Sequence, residues 1–178
     1  KRVVQSSDLL NDTVSQLLSQ AVLAHRFQSE AFAAVSVDEV TKEVCREVAV
    51  AALQQQVEVA YLGQESITID GDAFALKQMI RNILENAIKY SPRGSAVTVS
   101  VWYEAGRVFC RVSDQGVGIP SHWVPRVFEF YRRFDSANMA GGVGLGLAFV
   151  KTVVDKHHGV IECQSEEGRG TTFTLHFP

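Results

Sequence analysis

Residues 96–114, AVTVSVWYEAGRVFCRVSD, alternate apolar and polar side chains on both sides of a central Glu-Ala-Gly. A period of two places successive side chains on opposite faces of a strand, and a short break containing glycine suits a reversal of the chain. The stretch therefore predicts an antiparallel pair of strands, with one face in a core and the other in solvent.

From residue 32 onward the sequence predicts alternating helices and short strands. Periodicity near 3.6 predicts three helices, over 37–52, 72–90 and 145–158. The first should begin at a cap formed by Ser36 or Asp38, and Pro92 should stop the second. Four more strands are predicted in two hairpins, the first with a turn at Gly63, over 57–62, 66–70, 160–166 and 171–177. Because strands are neighbours in sequence, we expect an α+β fold, a two-layer sandwich with a mixed, largely antiparallel sheet and helices on one face.

Residues 1–30 have a different pattern. Their apolar residues keep a near-heptad spacing among Ser, Gln, Asn and Asp, at Val3, Leu10, Val14, Leu17, Ala21 and Ala24. Such spacing predicts one helix that packs against partner helices. We therefore divide the chain into a helix over 1–30 and a domain over 31–178.

Composition argues against several classes of function. The chain of 178 residues has 17 basic and 20 acidic side chains and a net charge of -3, so it lacks the basic surface that binds nucleic acid or an anionic membrane. Its three cysteines have no CxxC spacing, which argues against disulfides and zinc sites and favours a reducing cytoplasm. No apolar run reaches the ~20 residues that cross a bilayer, so we expect any membrane tether to lie outside this chain.

The helix over 72–90 carries a cluster of polar residues opposite its apolar face. The cluster consists of Asn82, Glu85, Asn86 and Lys89. Asparagine is disfavoured in a helix by about 0.5 kcal/mol relative to alanine, so two of them one turn apart suggest amide oxygens kept for a ligand. Amide and carboxylate oxygens suit a hydrated Mg²⁺, and the lysine would then meet a phosphate. The alternative is an ordinary solvated face.

Two glycine-rich stretches lie beside predicted strands and helices. DQGVGIP, at 114–120, directly follows a strand, so Asp114 is placed to accept a hydrogen bond from an amino group such as that of adenine. GGVGLGLAFVK, at 141–151, opens a helix whose backbone N–H groups favour phosphate. The second stretch is neither a P-loop nor a GxGxxG motif. Taken alone, each stretch is equally compatible with a turn or a hinge.

Taken together and in this order, these stretches resemble the ATP-binding domain of sensor histidine kinases, in the superfamily shared with gyrase, heat-shock ATPase chaperones and mismatch-repair ATPases. NILENAIKYSP, at 82–92, is similar to the N box, and the glycine-rich stretches are similar to the two glycine boxes. VFEFYRRFD, at 127–135, resembles the F box, and residues 157–178 resemble the closing segment of these kinases. The resemblance covers residues 32–178 and implies the Bergerat fold.

The resemblance implies roles for individual residues. Asn86 would coordinate Mg²⁺ with Asn82 in support, and Asp114 would bind the amino group of adenine. The residues implied on the phosphate side are Lys89, Tyr90, Arg132 and Arg133. Those implied to shape the base pocket or the lid over ATP are Gly116, Gly118, Ile119, Gly142, Gly144, Leu145 and Gly146. The aromatic residues implied to pin the lid to the core are Phe128, Phe130 and Tyr131, the last of them beside the nucleotide.

The resemblance also implies the reaction and its partners. The domain would transfer the γ-phosphate of Mg-ATP to a histidine on the first helix of a dimerisation hairpin, whose second helix residues 1–30 resemble. The phosphoryl group would pass to an aspartate of a response regulator. No histidine here fits the phosphoacceptor pattern, so His25, His157 and His158 are expected to be structural. The parent would be a homodimer tethered to the inner membrane by upstream segments, and this domain would be cytoplasmic without direct membrane or nucleic-acid contact.

Three alternatives stay open. One is an ATP-hydrolysing clamp of the gyrase or chaperone type. Those relatives carry a glutamate at the position of Asn82, an amide cannot act as a base, and Glu85 is the only substitute nearby. The second is a serine or threonine protein kinase of the same superfamily. The third is a nucleotide-sensing scaffold that binds ATP and transfers nothing.

Overall fold

The computed structural model describes residues 32–129 and 146–178, which form a five-stranded sheet, a two-stranded ribbon, three α-helices and a short 3₁₀ helix at Val124–Arg126. The helices are α1 (Val37–Gln55), α2 (Ala73–Tyr90) and α3 (Gly146–Lys156). The strands are β1 (Ala33–Ser36), β2 (Glu58–Gly63), β3 (Thr68–Gly71), β4 (Ala96–Glu104), β5 (Arg107–Ser113), β6 (Val160–Glu166) and β7 (Gly170–Phe177). The helix predicted over 1–30, and with it the domain boundary, lies outside the described residues. None of the described helices is both long and apolar enough to cross a bilayer.

The central sheet has the strand order β2-β4-β5-β7-β6. β4 and β5 form the hairpin predicted from residues 96–114, with Val101 opposite Cys110 and Trp102 opposite Phe109. β6 and β7 form the closing hairpin, and β7 also pairs antiparallel with β5. β2 runs parallel to β4, so the sheet is mixed and largely antiparallel, and the predicted fold class is confirmed.

The predicted hairpin between residues 57–62 and 66–70 is wrong, because the two strands lie in different sheets. β2 joins the central sheet, whereas β3 pairs antiparallel with β1, with Val35 opposite Ile69. β1 has only the four residues AAVS, too few to show the alternation by which a strand is recognised. The strand that completes the ribbon was therefore absent from the prediction.

The first turn of α1 binds the segment that connects β2 to β3. Ser36 caps the helix, since its hydroxyl accepts the N–H of Glu39 at 3.4 Å. Asp38 has a different role: its buried carboxylate accepts the N–H groups of Ser66 and Ile67 at 3.3 and 3.1 Å. These bonds hold the connecting segment at the helix start, where β3 meets β1 instead of β2.

The helices and the sheet fill one core between them. α2 buries the whole apolar face that its periodicity predicts, namely Leu76, Met79, Ile80, Ile83, Leu84, Ala87 and Ile88. β4 and β5 contribute their inward-facing residues, Val97, Val99, Val101, Val108, Cys110 and Val112. On the outer face of the sheet, Trp102 stacks on Phe109 with ring centres 5.0 Å apart. The polar side of α2 is thereby directed away from the sheet.

Candidate functional site

The second half of α2 carries the amide, ammonium and phenol groups singled out from the sequence. Asn82 and Asn86 are half-buried, whereas Lys89 is exposed. The two asparagines lie one turn apart at the margin of the apolar face, where helix geometry sets residues i and i+4 side by side. The Nζ of Lys89 lies 5.4 Å from the ring centre of Tyr90, the last residue of α2. These four residues therefore share one stretch of a rigid helix.

The first glycine-rich stretch packs directly on the end of α2. The N–H of Val117 donates to the carbonyl oxygen of Tyr90 at 3.3 Å, and a Cβ at Gly116 would lie 2.7 Å from that oxygen. Gly118 has a φ of +67°, and a Cβ there would lie 2.0 Å from the carbonyl oxygen of Glu166. Side chains at either position would collide with backbone, so both glycines are needed for this close approach.

The hairpin of β6 and β7 holds the same loop from the other side. Ile119 donates its N–H to the hydroxyl of Ser165 at 2.8 Å, and Gly168 donates to the carbonyl oxygen of Val117 at 2.7 Å. The Ser165 hydroxyl also lies 2.9 Å from Thr171 Oγ1. Ser165 and Thr171 have no recognisable pattern in the sequence beyond their place in the closing segment, so only the structure reveals that they support this loop.

Asp114 lies where β5 ends and the glycine-rich stretch begins, and it is half-buried. Its Oδ1 accepts two backbone N–H groups, from Gly116 at 2.8 Å and from Thr171 at 3.0 Å. Within the described part of the chain Oδ2 accepts no hydrogen bond. Burial raises the pKa of Asp114, and the two N–H donors offset this only in part. The carboxylate is thus fixed through one oxygen, while the other can accept a hydrogen bond from a ligand.

The F box and the second glycine-rich stretch are described only in part. Phe128 packs edge-on against Phe173, with ring centres 6.1 Å apart, and so lies against the core; its role in pinning the lid stays a prediction. Gly146, the first described residue of α3, is half-buried. The other predicted site residues of these segments lie outside the described residues: Phe130, Tyr131, Arg132, Arg133, Gly142, Gly144 and Leu145.

Comparison with known proteins agrees with this geometry. Residues 71–178 match the family described as histidine kinase-, DNA gyrase B-, and HSP90-like ATPase. The sensor-like histidine kinase SenX3 of Mycolicibacterium smegmatis is 35% identical over 180 residues, which cover 100% of this chain and 47% of that protein. This chain therefore spans about half the length of that relative.

Two solved structures share both fold and sequence with this chain. The mycobacterial sensor histidine kinase MprB has a TM-score of 0.73 and 30% identity, covering 83% of this chain and 97% of that one. Full-length ShkA in complex with AMPPNP has a TM-score of 0.74 and 27% identity, covering 83% of this chain and 31% of that one. The chain therefore belongs to the histidine kinase-, DNA gyrase B- and HSP90-like ATPases, as a catalytic domain of the sensor histidine kinase type.

Proposed function

We propose that this domain binds Mg-ATP and transfers the γ-phosphate to a histidine on a helix outside this chain. The observation that carries the proposal is the carboxylate of Asp114, fixed through Oδ1 and unbonded at Oδ2 within the described residues. An adenine amino group can donate to Oδ2, whereas the 6-oxo group of guanine would repel it. The AMPPNP in the ShkA complex supports a nucleotide as the ligand of this fold.

The polar face of α2 fits a magnesium ion that is held partly by phosphate. In the described ranges no three histidine, cysteine, aspartate or glutamate side chains converge on a metal position. Asn86, with Asn82 in support, would offer neutral amide oxygens, which suit an ion that takes its remaining ligands from phosphate and water. When bound, Mg²⁺ offsets negative charge on the phosphates.

The chain's own residues would position the triphosphate and neutralise its charge. The exposed ammonium of Lys89 lies one turn from Asn86 and would contact a phosphate oxygen. Arg132 or Arg133 would supply a second positive charge at the terminal phosphate. The histidine nitrogen would attack the γ-phosphorus in line as the bond to the bridging oxygen breaks and ADP leaves. Catalysis by this arrangement is largely a matter of orientation and electrostatics.

The wider setting belongs to the same proposal. The phosphoryl group would pass from histidine to an aspartate of a response regulator. Residues 1–30 would form the second helix of a hairpin through which the parent protein dimerises. The domain would lie in the cytoplasm, with the parent tethered to the inner membrane by other segments. The names of the relatives as sensor histidine kinases support this setting.

One titration series tests the proposed function and separates it from its rivals. The chain should bind Mg-ATP in calorimetry and Mg-GTP far more weakly, and it should label a supplied histidine-bearing hairpin with phosphate from ATP. Rapid ATP hydrolysis without the hairpin would indicate a clamp. Label on serine or threonine would indicate the other kinase class. Binding without any transfer would indicate a scaffold, and no binding would contradict the proposal altogether.

A further inference from the structure

His157 lies just beyond the last residue of α3 and is buried, with 3% of its surface exposed. Its Nδ1 lies 2.7 Å from the carbonyl oxygen of Val153, and its Nε2 lies 3.0 Å from the backbone N–H donor of Asp72. A carbonyl only accepts and a backbone N–H only donates, so the ring carries its proton on Nδ1 and is neutral. A neutral imidazole thus joins the end of α3 to the residue that caps α2.

The same ring also contacts the segment through which the chain enters the domain. Phe32, immediately before β1, stacks on His157 with ring centres 4.7 Å apart and an interplanar angle of 18°. Phe177 meets the ring edge-on at 6.3 Å. At Gly71 a Cβ would lie 2.7 Å from Cδ2 of the imidazole, so the ribbon of β1 and β3 also closes on it. The prediction that His157 is structural is confirmed, but its contacts link more than one element.

The two helices joined at His157 carry part of the proposed nucleotide site. α2 runs for about 27 Å from its cap at Asp72 to Tyr90, with both asparagines in its second half. α3 begins at the second glycine-rich stretch and ends beside His157. The hydrogen bond between Asp72 and His157 restrains the ends of two packed helices that lie away from the site. Its loss would therefore let the amides of α2 and the start of α3 at Gly146 shift relative to each other.

We propose that His157 is a positioning residue, which couples the segment preceding β1 to the nucleotide site through its neutral ring, and that protonation of this ring weakens nucleotide binding. The inference rests on the proposed function. A proton on Nε2 would face the N–H of Asp72, so the hydrogen bond would be lost and two donors would oppose each other. The Phe32 stack and the α2 cap would then be displaced together.

The surroundings of His157 set the direction of its pH response. Burial lowers the pKa of His157. The hydrogen bond to Val153 and the carboxylates of Asp72 and Asp70 act against burial, and the neighbouring His158 acts with it. The native state therefore takes up the proton less readily than the unfolded chain. The contribution of the neutral ring to stability is complete above the unfolded pKa of about 6.5 and is lost as the pH falls through the lower folded pKa.

Two variants isolate the hydrogen bonds of the ring. His157→Phe keeps an aromatic ring for Phe32 but has neither donor nor acceptor. His158→Asn is the matched control, because His158 is exposed and has a φ of 55°, which asparagine tolerates. Affinity for Mg-ATP is measured by calorimetry between pH 8 and pH 5.5. Titration of the nucleotide itself is common to every variant, so differences between the profiles report on the protein.

At pH 8 we expect His157→Phe to bind Mg-ATP at least about fivefold more weakly than the control. As the pH falls through the folded pKa of His157, which lies below 6.5, the wild type should lose affinity. The control should lose it at a somewhat higher pH, because it lacks the lowering effect of His158, and this part of the profile should be absent in His157→Phe. Equal affinities at pH 8, or identical profiles, would overturn the proposal. A wild type that binds no nucleotide at any pH would instead refute the proposed function.

A third variant, Phe32→Ala, tests the coupling to the segment preceding β1 and does not alter the imidazole of His157. Phe32→Ala removes the stack and keeps both hydrogen bonds of His157, and Tyr103→Ala, at an exposed aromatic on β4, is its control. Phe32→Ala should weaken nucleotide binding where Tyr103→Ala does not, and the loss should shrink when His157→Phe is already present. Additive losses, or none, would refute the coupling. If His157→Phe does not fold, the comparison of Phe32→Ala with Tyr103→Ala still tests the coupling.

Discussion

The backbone N–H of Thr171 lies 3.0 Å from Oδ1 of Asp114, so β7 fixes the carboxylate that directly follows β5. The N–H of Gly116 donates to the same oxygen at 2.8 Å. Oδ1 is thus held by backbone N–H groups. Among the described residues no donor bonds to Oδ2, so Oδ2 can accept a hydrogen bond from a ligand. Because asparagine keeps the first oxygen and replaces the second with an amide NH₂, substitution at this position separates the two roles.

Asp114→Asn should weaken Mg-ATP binding by about 30-fold or more, since the new NH₂ faces the amino group of adenine. The same change should not destabilise the domain. Burial raises the pKa of Asp114, so its ionised form costs stability once the pH exceeds the folded pKa, and asparagine removes this cost. Calorimetry and thermal unfolding at pH 7.5 test both statements. Glu162→Gln, on an exposed carboxylate of β6, should change neither, and an unchanged affinity for Asp114→Asn would refute the adenine contact.

Gly118→Ala should lower the free energy of unfolding by at least about 3 kcal/mol, because strain at positive φ adds to a collision with the carbonyl oxygen of Glu166. Gly106→Ala is the matched control. It also has positive φ, at +81°, but its Cβ would meet open space, so it should lose only about 1 to 2 kcal/mol. Urea unfolding of both variants measures the difference. Equal losses would mean that the loop moves away freely.

Ser165→Ala should cost about 1 to 3 kcal/mol of stability, because the N–H of Ile119 loses its acceptor. Nucleotide affinity should fall with it, since the loop after Asp114 is held by this bond. Ser100→Ala, on the outer face of β4, serves as the control and should stay within about 0.5 kcal/mol of the wild type. Thermal unfolding with and without Mg-ATP tests both effects. A stable variant with full affinity would show that the loop holds its position without Ser165.

Asn86→Ala should remove the gain in ATP affinity that Mg²⁺ provides, because the variant lacks the amide oxygen proposed to coordinate the ion. Binding of ATP in the presence of a chelator should change far less. Gln78→Ala, two turns earlier on α2 and also half-buried, should keep the full response to Mg²⁺. Equal losses with and without the ion would contradict a metal-binding role for Asn86.

The local sequence pattern is sufficient to predict an element and its pairing wherever the element is long and its neighbour is close in sequence. The apolar face of α2 from Leu76 to Ile88 and the pairing of Val101 with Cys110 follow from periods of 3.6 and two. The partner of β3 did not follow, because β1 has four residues and the bonds from Asp38 to Ser66 and Ile67 are tertiary. Asp114 was recognisable from its place before the glycines. The support from Ser165 and Thr171 depends on a hairpin far away in sequence, and no local pattern encodes it.

The parallel pairing of β2 with β4 has a consequence for how the chain reaches its native state. Glu58 lies opposite Ala96, and the whole of β3 and α2 separates them. Each of the two hairpins can form from its turn. The pairing of β2 with β4 can form only after the long connection that contains β3 and α2 has closed, with its helix already formed. We therefore expect the edge strand to dock last in refolding. Until β2 docks, the backbone N–H and C=O groups along one edge of β4 are unpaired and can bond to other molecules. The refolding yield should therefore fall as the protein concentration rises.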